Sequence, residues 1–397
     1  MSRLKNALRQ VRQQQGLAQG ELAMTADISR QALSELEAGH ACPSTAVALA
    51  LAQALHCRVE DLFFLSEDDA PVQAEWALLE GKRTRRTRAA RRKDPTQMGR
   101  AGRAALAFIG DRWVAHPLNA QQPASLWSAA DGLVLSAAPS RRPASEGGAV
   151  ELEPLRSRSA IRENVLLAGC DPAIGLLAAW LGERHRPAKV TWLYATSDAA
   201  LGALARREVH IAGAHLLDEM SGEFNVPFAR SAVQGDSAVV VNFARWEEGL
   251  LVARGNPLGI RGVPDLARRR ITFVNREAGS GARKLIDRLL HDEGIEAKRI
   301  KGYERVARGH MAVAHAVALG AADAGIATRS AAAALGLRFL PLSEERFDLV
   351  VPKQLIAAQG VARLLDALAT RAFRRELESL AGYAADRTGD VVAEVGS

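Results

Sequence analysis

The sequence predicts a multidomain protein with an all-α helix-turn-helix bundle, a small β-rich connector and a two-lobed α/β domain. Three observations lead to this fold class. Residues 17–39 describe two short helices joined by a tight turn. Residues 105–155 change to short alternating apolar runs separated by Gly, Pro and Ser clusters. From residue 161 onward, apolar strands alternate with helical segments, which is typical of a mainly parallel sheet.

Apolar spacing and capping residues place the N-terminal helices. A first helix is predicted over residues 2–15, because apolar residues recur at helical spacing and Gly16 follows them. Ser29 is a good N-cap for the second helix of the close pair. A later helix is predicted over residues 44–55, directly after Pro43. Together these segments predict a helical domain over residues 1–65.

The second helix of the pair leaves polar side chains on its outer face. Arg30, Gln31 and Ser34 are of the types that hydrogen-bond phosphates and base edges. Residues 17–39 resemble the helix-turn-helix of the lambda-repressor/Cro (XRE) family, and the resemblance covers roughly the first 65 residues. It implies double-stranded DNA as the partner, and it adds Gln19 and Ser29 to the DNA-binding residues. A bundle that contacts protein instead of DNA is the alternative.

Composition and length describe an ordinary globular protein. The chain has 397 residues, of which 48% are hydrophobic and 24% charged. Its start does not read as a cleavable leader, and it has no long apolar run, so we expect a cytoplasmic protein without membrane contact. The cysteines Cys42, Cys57 and Cys170 show no CxxC spacing, which fits a reducing compartment.

Positive charge is concentrated in one segment. The formal net charge is +7, yet the first 65 residues carry six cations and six anions. Residues 82–93 hold eight cations and no anion, so residues 66–104 are predicted to be a basic linker. This run either lies along the DNA backbone or serves as a solvated tether, and both interpretations stay open. The connector is then predicted over residues 105–160, with three or so strands.

Polar turns follow the predicted strands of the α/β domain, residues 161–397. In parallel sheets, ligands bind where strands end and helices begin. Backbone N–H groups and small hydroxyls at such turns suit an anion. The glycine-containing turn before residue 283 also places a cation, Arg283, at a helix start. The candidate ligand-binding residues at these turns are Asp171, Ser197, Asp198, Ser280, Gly281 and Arg283.

The order of these motifs carries a second resemblance. Segments such as IAGAHLLD, NREAGSGARKLID and GHMAVA resemble the type 2 periplasmic-binding-protein fold over residues 161–380. More narrowly, they resemble its cytoplasmic, molybdate-binding-protein-like version found behind helix-turn-helix domains. The resemblance implies two lobes that close on a small ligand, joined by crossovers near residues 238–256 and 338–352. It places His310 among the ligand contacts, and His215 follows a strand beside the same cleft.

These observations predict a one-component, ligand-responsive transcription regulator that acts as a homodimer. The expected effector is an oxyanion, molybdate or tungstate, and a small organic anion is the alternative. We expect no catalytic residue, no metal ligand and no other cofactor. A rival hypothesis is an enzyme whose cleft uses Cys170 or His310. His215 and His310 also have a plain alternative as polar residues satisfied by the backbone.

Overall fold

The computed structural model describes residues 3–66, 70–79, 102–119, 124–137, 148–184, 189–233 and 235–396. The chain divides into two compact units, residues 1–70 with 157–159 and residues 71–156 with 160–397. The basic run at residues 82–93 lies outside the described residues. Within the described residues, no helix has the length and apolar character needed to cross a membrane.

The first unit is a helical bundle with a short two-stranded sheet. Its elements are β1 (Arg3–Asn6), α1 (Leu8–Gln14), α2 (Gln19–Thr25), α3 (Arg30–Glu37), α4 (Thr45–Ala54), α5 (Val59–Leu62) and β2 (Phe63–Ser66). The first helix is therefore shorter than predicted, because residues 3–6 form a strand. That strand pairs antiparallel with β2, which satisfies backbone groups that a helix would otherwise use.

Leucines form the core of this bundle. Leu8, Leu33, Leu51 and Leu55 are fully buried in one cluster. Each such side chain contributes about 1.5–3 kcal/mol when it is removed from water. The predicted helix at residues 44–55 is present as α4, and the Ser44 hydroxyl caps it by accepting a hydrogen bond from the Val47 N–H.

The connector in the second unit is a closed five-stranded barrel. Its strands are β3 (Val72–Trp76), β4 (Arg103–Ile109), β5 (Arg112–Pro117), β6 (Gly132–Ala137) and β7 (Ala149–Pro154), in the order β3-β5-β4-β6-β7. Strand β3 lies inside the segment expected to be linker. Val72 and Ala74 are buried while Gln73 and Glu75 are exposed, so buried and exposed residues alternate along this strand. The alternation covers too few residues to be recognised in the sequence next to the charged run.

The α/β domain is built on one ten-stranded sheet that spans two lobes. Helix α6 (Arg158–Arg162) leads into lobe 1, residues 160–237 and 353–396. Lobe 1 contains β8 (Val165–Gly169), α7 (Ala173–Arg184), β9 (Val190–Tyr194), α8 (Ser197–Ala205), β10 (Ile211–Ala214), α9 (Val226–Val233), α13 (Gln359–Ala369), α14 (Arg371–Glu378), β16 (Tyr383–Ala384) and β17 (Val391–Val395). Lobe 2, residues 253–337, contains β12 (Phe273–Arg276), α10 (Gly281–Asp292), β13 (Val306–Ala307), α11 (His310–Ala318), β14 (Ala324–Thr328) and α12 (Arg329–Ala334).

Two long antiparallel strands join the lobes, as the sequence predicts. They are β11 (Ala238–Val252) and β15 (Arg338–Pro352), paired over their whole length from Ala238 opposite Pro352 to Val252 opposite Arg338. Within each lobe the strands beside them run parallel, for example β8 with β9 and β12 with β14. The carboxyl ends of these strands and the N-termini of the following helices therefore meet at the cleft.

The barrel is joined to lobe 1 by polar contacts and by a common apolar core. The buried carboxylate of Asp131 pairs with Lys189 at 2.9 Å and with Arg156 at 3.0 Å. The His210 ring accepts from the Leu166 N–H and contacts the Phe108 carbonyl at 3.2 Å. Apolar residues of β4 and β5 share one cluster with those of β8, α8 and β10. The connector and lobe 1 therefore form one packed body.

Candidate functional site

The outer face of α3 presents the predicted DNA-reading residues to solvent. Arg30, Gln31 and Ser34 are exposed, whereas Leu33 and Leu36 on the opposite face are buried. The Ser29 hydroxyl accepts a hydrogen bond from the Ala32 N–H at 3.0 Å, so this side chain caps α3. The helix therefore leaves its polar face available for a groove.

An internal ion pair fixes the inner side of the helix pair. The buried guanidinium of Arg12 binds both carboxylate oxygens of Glu37, at 2.6 and 3.1 Å. The amide of Gln19 donates to the same carboxylate at 2.9 Å. Hydrogen bonding to Arg12 and Gln19 lowers the pKa of Glu37 against the opposing effect of burial. Gln19 at the start of α2 is thus held in one orientation relative to α3.

The cleft brings helix N-termini from both lobes together. The Ser197 hydroxyl, at the start of α8, accepts a hydrogen bond from the His215 N–H at 3.1 Å. Gly281 begins α10 directly against His215, and a Cβ atom at Gly281 would lie 2.2 Å from the His215 carbonyl oxygen. His310 begins α11, and its ring centroid lies 6.1 Å from that of His215. Ser197, His215, Gly281 and His310 therefore lie together in this cleft.

Direct contacts across the cleft hold the lobes closed. The Asp198 N–H of lobe 1 donates to the Gly279 carbonyl of lobe 2 at 3.4 Å. The Asp198 carboxylate also pairs with Lys284 at 3.0 Å, and Tyr194 hydrogen-bonds to Glu277. A cavity of about 20 Å³ remains beside His215 and Gly281. That volume is close to the space for one water molecule, so a larger ligand requires the lobes to separate.

Four buried groups form the centre of the cleft, and two of them were missed by sequence reasoning. Glu248 on β11 is fully buried, with its carboxylate oxygens 3.7 Å from His215 Nδ1 and 3.6 Å from His310 Nδ1. The Trp246 ring lies 5.2 Å from the His215 ring and 6.2 Å from the His310 ring. Two adjacent glutamates inside an otherwise mostly apolar crossover run were the signal that could have found Glu248.

Arg276 is the cation of the cleft, and it too was missed. It ends strand β12 fully buried, and its Nη1 lies 2.9 Å from His310 Nδ1. Its Nε donates to Glu277 at 3.0 Å, and its Nη2 donates to the Tyr194 hydroxyl at 3.2 Å. Its position as the last residue of a buried strand was the available signal, since ligands collect at such ends.

The contact with Arg276 fixes the tautomer of His310. A guanidinium can only donate hydrogen bonds, so His310 Nδ1 must accept. Burial and the charge of Arg276 keep the pKa of His310 well below its ordinary value, so the ring is neutral. Its one proton then lies on Nε2, which has no partner among the described residues. The indole N–H of Trp246 is likewise without a partner there.

Burial makes the other central groups neutral as well. It lowers the pKa of His215 to about 3, with a contribution from Arg276. Burial, with repulsion from Glu345, raises the pKa of Glu248 to about 8. Near neutral pH, Glu248 is therefore mostly a carboxylic acid that can donate a hydrogen bond. The charge of Arg276 is balanced by Glu277, so the centre offers donors without a free cation.

Asp171 and Arg283 are engaged outside this centre. Asp171 is fully buried, and one carboxyl oxygen accepts from the Ala173 N–H at 2.9 Å and from the Tyr383 hydroxyl. Burial raises its pKa to about 7. Arg283 binds Asp287 at 3.0 Å and stacks on the Tyr303 ring at 4.3 Å.

The contacts of Arg283 and Ser280 show what these two residues do at the start of α10 in the closed cleft. Arg283 is expected to contact the ligand, but in this closed structure its guanidinium pairs with Asp287, and Arg276 is the cation beside His310. Ser280 is the N-cap of α10: its hydroxyl accepts from the Arg283 N–H and donates to the Glu277 carbonyl. It therefore orients the helix start instead of presenting a free hydroxyl.

Two groups of side chains are close enough to share a metal ion. Cys170, His215 and His310 form one, and His215, Glu248 and Glu345 the other. Metal ligation requires a thiolate and a free ring nitrogen. Burial raises the pKa of the Cys170 thiol, and His310 Nδ1 is taken by Arg276. The first group, Cys170 with His215 and His310, therefore fits a guest that accepts hydrogen bonds better than it fits a cation.

The comparisons with known proteins agree with this geometry. A family model described as a PBP superfamily domain matches residues 178–369, and one described as helix-turn-helix matches residues 8–62. Uncharacterized protein YvgK from Bacillus subtilis (strain 168) is 32% identical over 233 residues, which are 59% of this chain and 75% of YvgK. The chain belongs to the PBP superfamily and carries an XRE-like helix-turn-helix domain at its N-terminus.

One further relative and one solved structure are similar to the separate domains. The uncharacterized HTH-type transcriptional regulator YgzD from Bacillus subtilis (strain 168) is 32% identical over 66 residues, 17% of this chain and 100% of YgzD. The sulfate-binding protein SubI from Mycobacterium tuberculosis H37Rv has 17% identity and a TM-score of 0.41, covering 55% of this chain and 86% of that one. On the family models and the sequence relatives, the protein is a helix-turn-helix regulator fused to a ligand-binding PBP-like domain.

Proposed function

We propose that this regulator is a one-component cytoplasmic sensor whose PBP-like cleft binds a small anion. Molybdate and tungstate are the first candidates, and a small organic anion is the alternative. Binding changes the population of closed lobes and thereby the geometry of a homodimer on DNA. Dimers of helix-turn-helix proteins read two half-sites about one helical turn apart, so that geometry sets operator affinity.

One observation carries the choice of an anion. The N–H of His310 Nε2 is an unpartnered donor at the centre of the cleft, fixed there by Arg276. The Trp246 N–H and the neutral acid of Glu248 add two further donors. The N-termini of α8, α10 and α11 meet at the same place, and helix N-termini favour negative charge. Neutral donors and helix dipoles together suit an oxyanion.

We infer that the cleft binds its ligand without chemical turnover. A cysteine nucleophile must be a thiolate, and its pKa is lowered in reactive sites. Burial raises the pKa of Cys170 instead, so the thiol form persists at neutral pH. Accordingly, Cys170→Ala should leave the response to the effector unchanged. An enzymatic activity that this substitution abolished would favour the rival hypothesis.

Isothermal titration calorimetry on the full chain tests the proposal. Molybdate, tungstate, sulfate and simple carboxylates are titrated separately, and heat from molybdate or tungstate is expected. His310→Ala should weaken that binding by about 10- to 100-fold, since a hydrogen bond to a charged group contributes about 1.5–3 kcal/mol. His315→Ala is the matched control, because His315 lies on the same helix with its ring exposed.

The outcomes separate the candidates. Heat from carboxylates alone would move the effector to an organic anion. No heat from any anion, or equal losses in the two histidine variants, would contradict the anion site. A gel shift with the promoter beside its own gene then tests whether the bound ligand changes DNA affinity.

A further inference from the structure

Lobe 2 is far more basic than lobe 1. Residues 253–337 carry fifteen Lys and Arg against eight Asp and Glu, a formal excess of seven positive charges. The two segments of lobe 1 carry thirteen cations and fifteen anions, a formal charge of −2. The net charge of the whole chain, +7, is therefore not spread evenly over the PBP-like domain.

The cations of lobe 2 gather along one edge of its sheet. Strand β13 is the last strand at that end of the sheet, and it pairs only with β12 among the described strands. The Phe273 N–H donates to the Lys301 carbonyl, and the Asn275 N–H donates to the Arg305 carbonyl, each at 2.8 Å. The segment 298–308 therefore runs beside β12, and residues 268–270 lead directly into that strand.

Eight exposed cations define this basic edge. They are Arg268, Arg269, Arg270, Lys298, Arg299, Lys301, Arg305 and Arg308. One acidic residue, Glu304, lies within these segments, and two lie just before them. Those two pair locally, Asp265 with Arg268 and Glu296 with Lys298 at 2.8 Å. Within the described part of the chain, Arg269, Arg299 and Arg305 have no ion pair. The edge therefore keeps a positive surface that local carboxylates do not neutralise.

The helix-turn-helix domain lacks such a surface. Its first 65 residues carry equal numbers of cations and anions, so it supplies little long-range attraction to DNA. Most non-specific affinity for DNA comes from Lys and Arg that neutralise phosphates. Cations elsewhere in the chain can supply that affinity, namely those of residues 82–93 and those of the basic edge.

We propose that the basic edge of lobe 2 is a second DNA contact, which binds the phosphate backbone without reading sequence. DNA is the polyanion that the N-terminal helix-turn-helix domain is expected to bind. Guanidinium groups also match the geometry of phosphate oxygens. The contact lies on lobe 2, across the cleft from lobe 1. This inference stands apart from the identity of the effector.

Binding of the full chain to a long random-sequence duplex at rising salt tests the proposal. The triple variant Arg269→Gln, Arg299→Gln and Arg305→Gln removes three exposed cations that pair with no described carboxylate. The slope of log affinity against log salt should become shallower by about 2 to 3, since each phosphate contact contributes about 0.9. The affinity at low salt should fall at the same time.

A matched triple variant controls for net charge alone. Arg230, Arg371 and Arg375 are exposed on lobe 1, and changing them to Gln alters the charge by the same amount. This variant should keep the wild-type slope. Equal slopes in the two triples, or no change in either, would overturn the proposal. So would a loss confined to binding of phosphatidylserine vesicles, because the edge would then fit a membrane surface instead of DNA.

Discussion

The reading face of α3 and the centre of the cleft use polar residues in opposite ways. Arg30, Gln31 and Ser34 are exposed and lie on one short helix. His215, Glu248 and His310 are buried and come from three distant parts of the chain. The first set can meet its partner without rearrangement, whereas the second can meet a ligand only after the lobes part. The difference implies that substitutions at the two places act on different equilibria.

The close approach of Gly281 to His215 gives the largest expected effect. In Gly281→Ala the new Cβ would lie 2.2 Å from the His215 carbonyl oxygen, a distance that real Cβ contacts do not show. Because the obstacle is backbone, the lobes must separate, and we expect closure to lose about 3 kcal/mol. Small-angle X-ray scattering should show a larger radius of gyration, while binding to a random duplex should stay unchanged.

Gly182→Ala is the matched control for that prediction. Gly182 lies in helix α7, and a Cβ there would meet no atom within 4 Å. This variant should scatter like the wild type and should be slightly more stable, because alanine favours helix. If Gly281→Ala also kept the wild-type scattering profile, the closed contact between α10 and His215 would not be the state in solution.

The reading face should respond through DNA affinity alone. Arg30→Ala and Gln31→Ala should each weaken operator binding by about 1 to 3 kcal/mol, because a base contact is lost without disturbing the buried core. Fluorescence anisotropy with operator and scrambled duplexes measures the sequence-specific and the non-specific affinity. The small-angle scattering profile should not change.

Gln13→Ala controls for removal of an exposed glutamine elsewhere in the bundle. It should leave operator affinity as in the wild type. An equal loss on operator and scrambled DNA from Gln31→Ala would show that Gln31 contacts phosphate and does not read a base.

Local periodicity explains what the sequence could predict. The helix pair, α4 and the turns at Ser197 and Gly281 follow from spacing, caps and strand ends. The two crossovers follow from the resemblance to the periplasmic-binding-protein fold. Strand β1 could not be predicted in this way, since it depends on pairing with residues some sixty positions later in the chain. A short amphipathic segment has the same apolar residues in either conformation.

The centre of the cleft was only half predictable for a related reason. His215 and His310 stand beside turns that the motif order identifies. Glu248 and Arg276 lie inside strands, and their role comes from burial against residues that are far apart in sequence. Arg283 shows the limit of prediction from sequence. A cation near a Gly-Ser-Gly turn is visible in the sequence, but the ion pair of Arg283 with Asp287 decides where its guanidinium lies.

The smallest predicted effect concerns the buried acid of the cleft. The pKa of Glu248 is raised from 4.5 to about 8, so the folded protein keeps a proton that the unfolded chain has lost. The contribution of Glu248 to the free energy of unfolding therefore falls as pH rises between those values, and it is constant above about pH 8. His215, with its pKa lowered to about 3, acts in the opposite direction below pH 6.5. The interval from pH 6.5 to 8 thus isolates the carboxyl groups.

Urea denaturation over that interval tests the assignment. Wild-type stability should fall with pH by up to about 1.4 kcal/mol per unit for Glu248, because one proton is at stake. Glu248→Gln should flatten this slope, since a neutral amide has no proton to lose. Asp171, with its pKa near 7, contributes mainly in the lower part of the interval, and burial also raises the pKa of Glu345 beside Glu248; both residues are intact in both proteins. Glu247→Gln, at the neighbouring residue paired with Arg329, should retain the wild-type slope because Glu248 is unchanged. A wild-type slope in Glu248→Gln would mean that Glu248 is ionised in the closed cleft, and the donor assigned to it there would be lost.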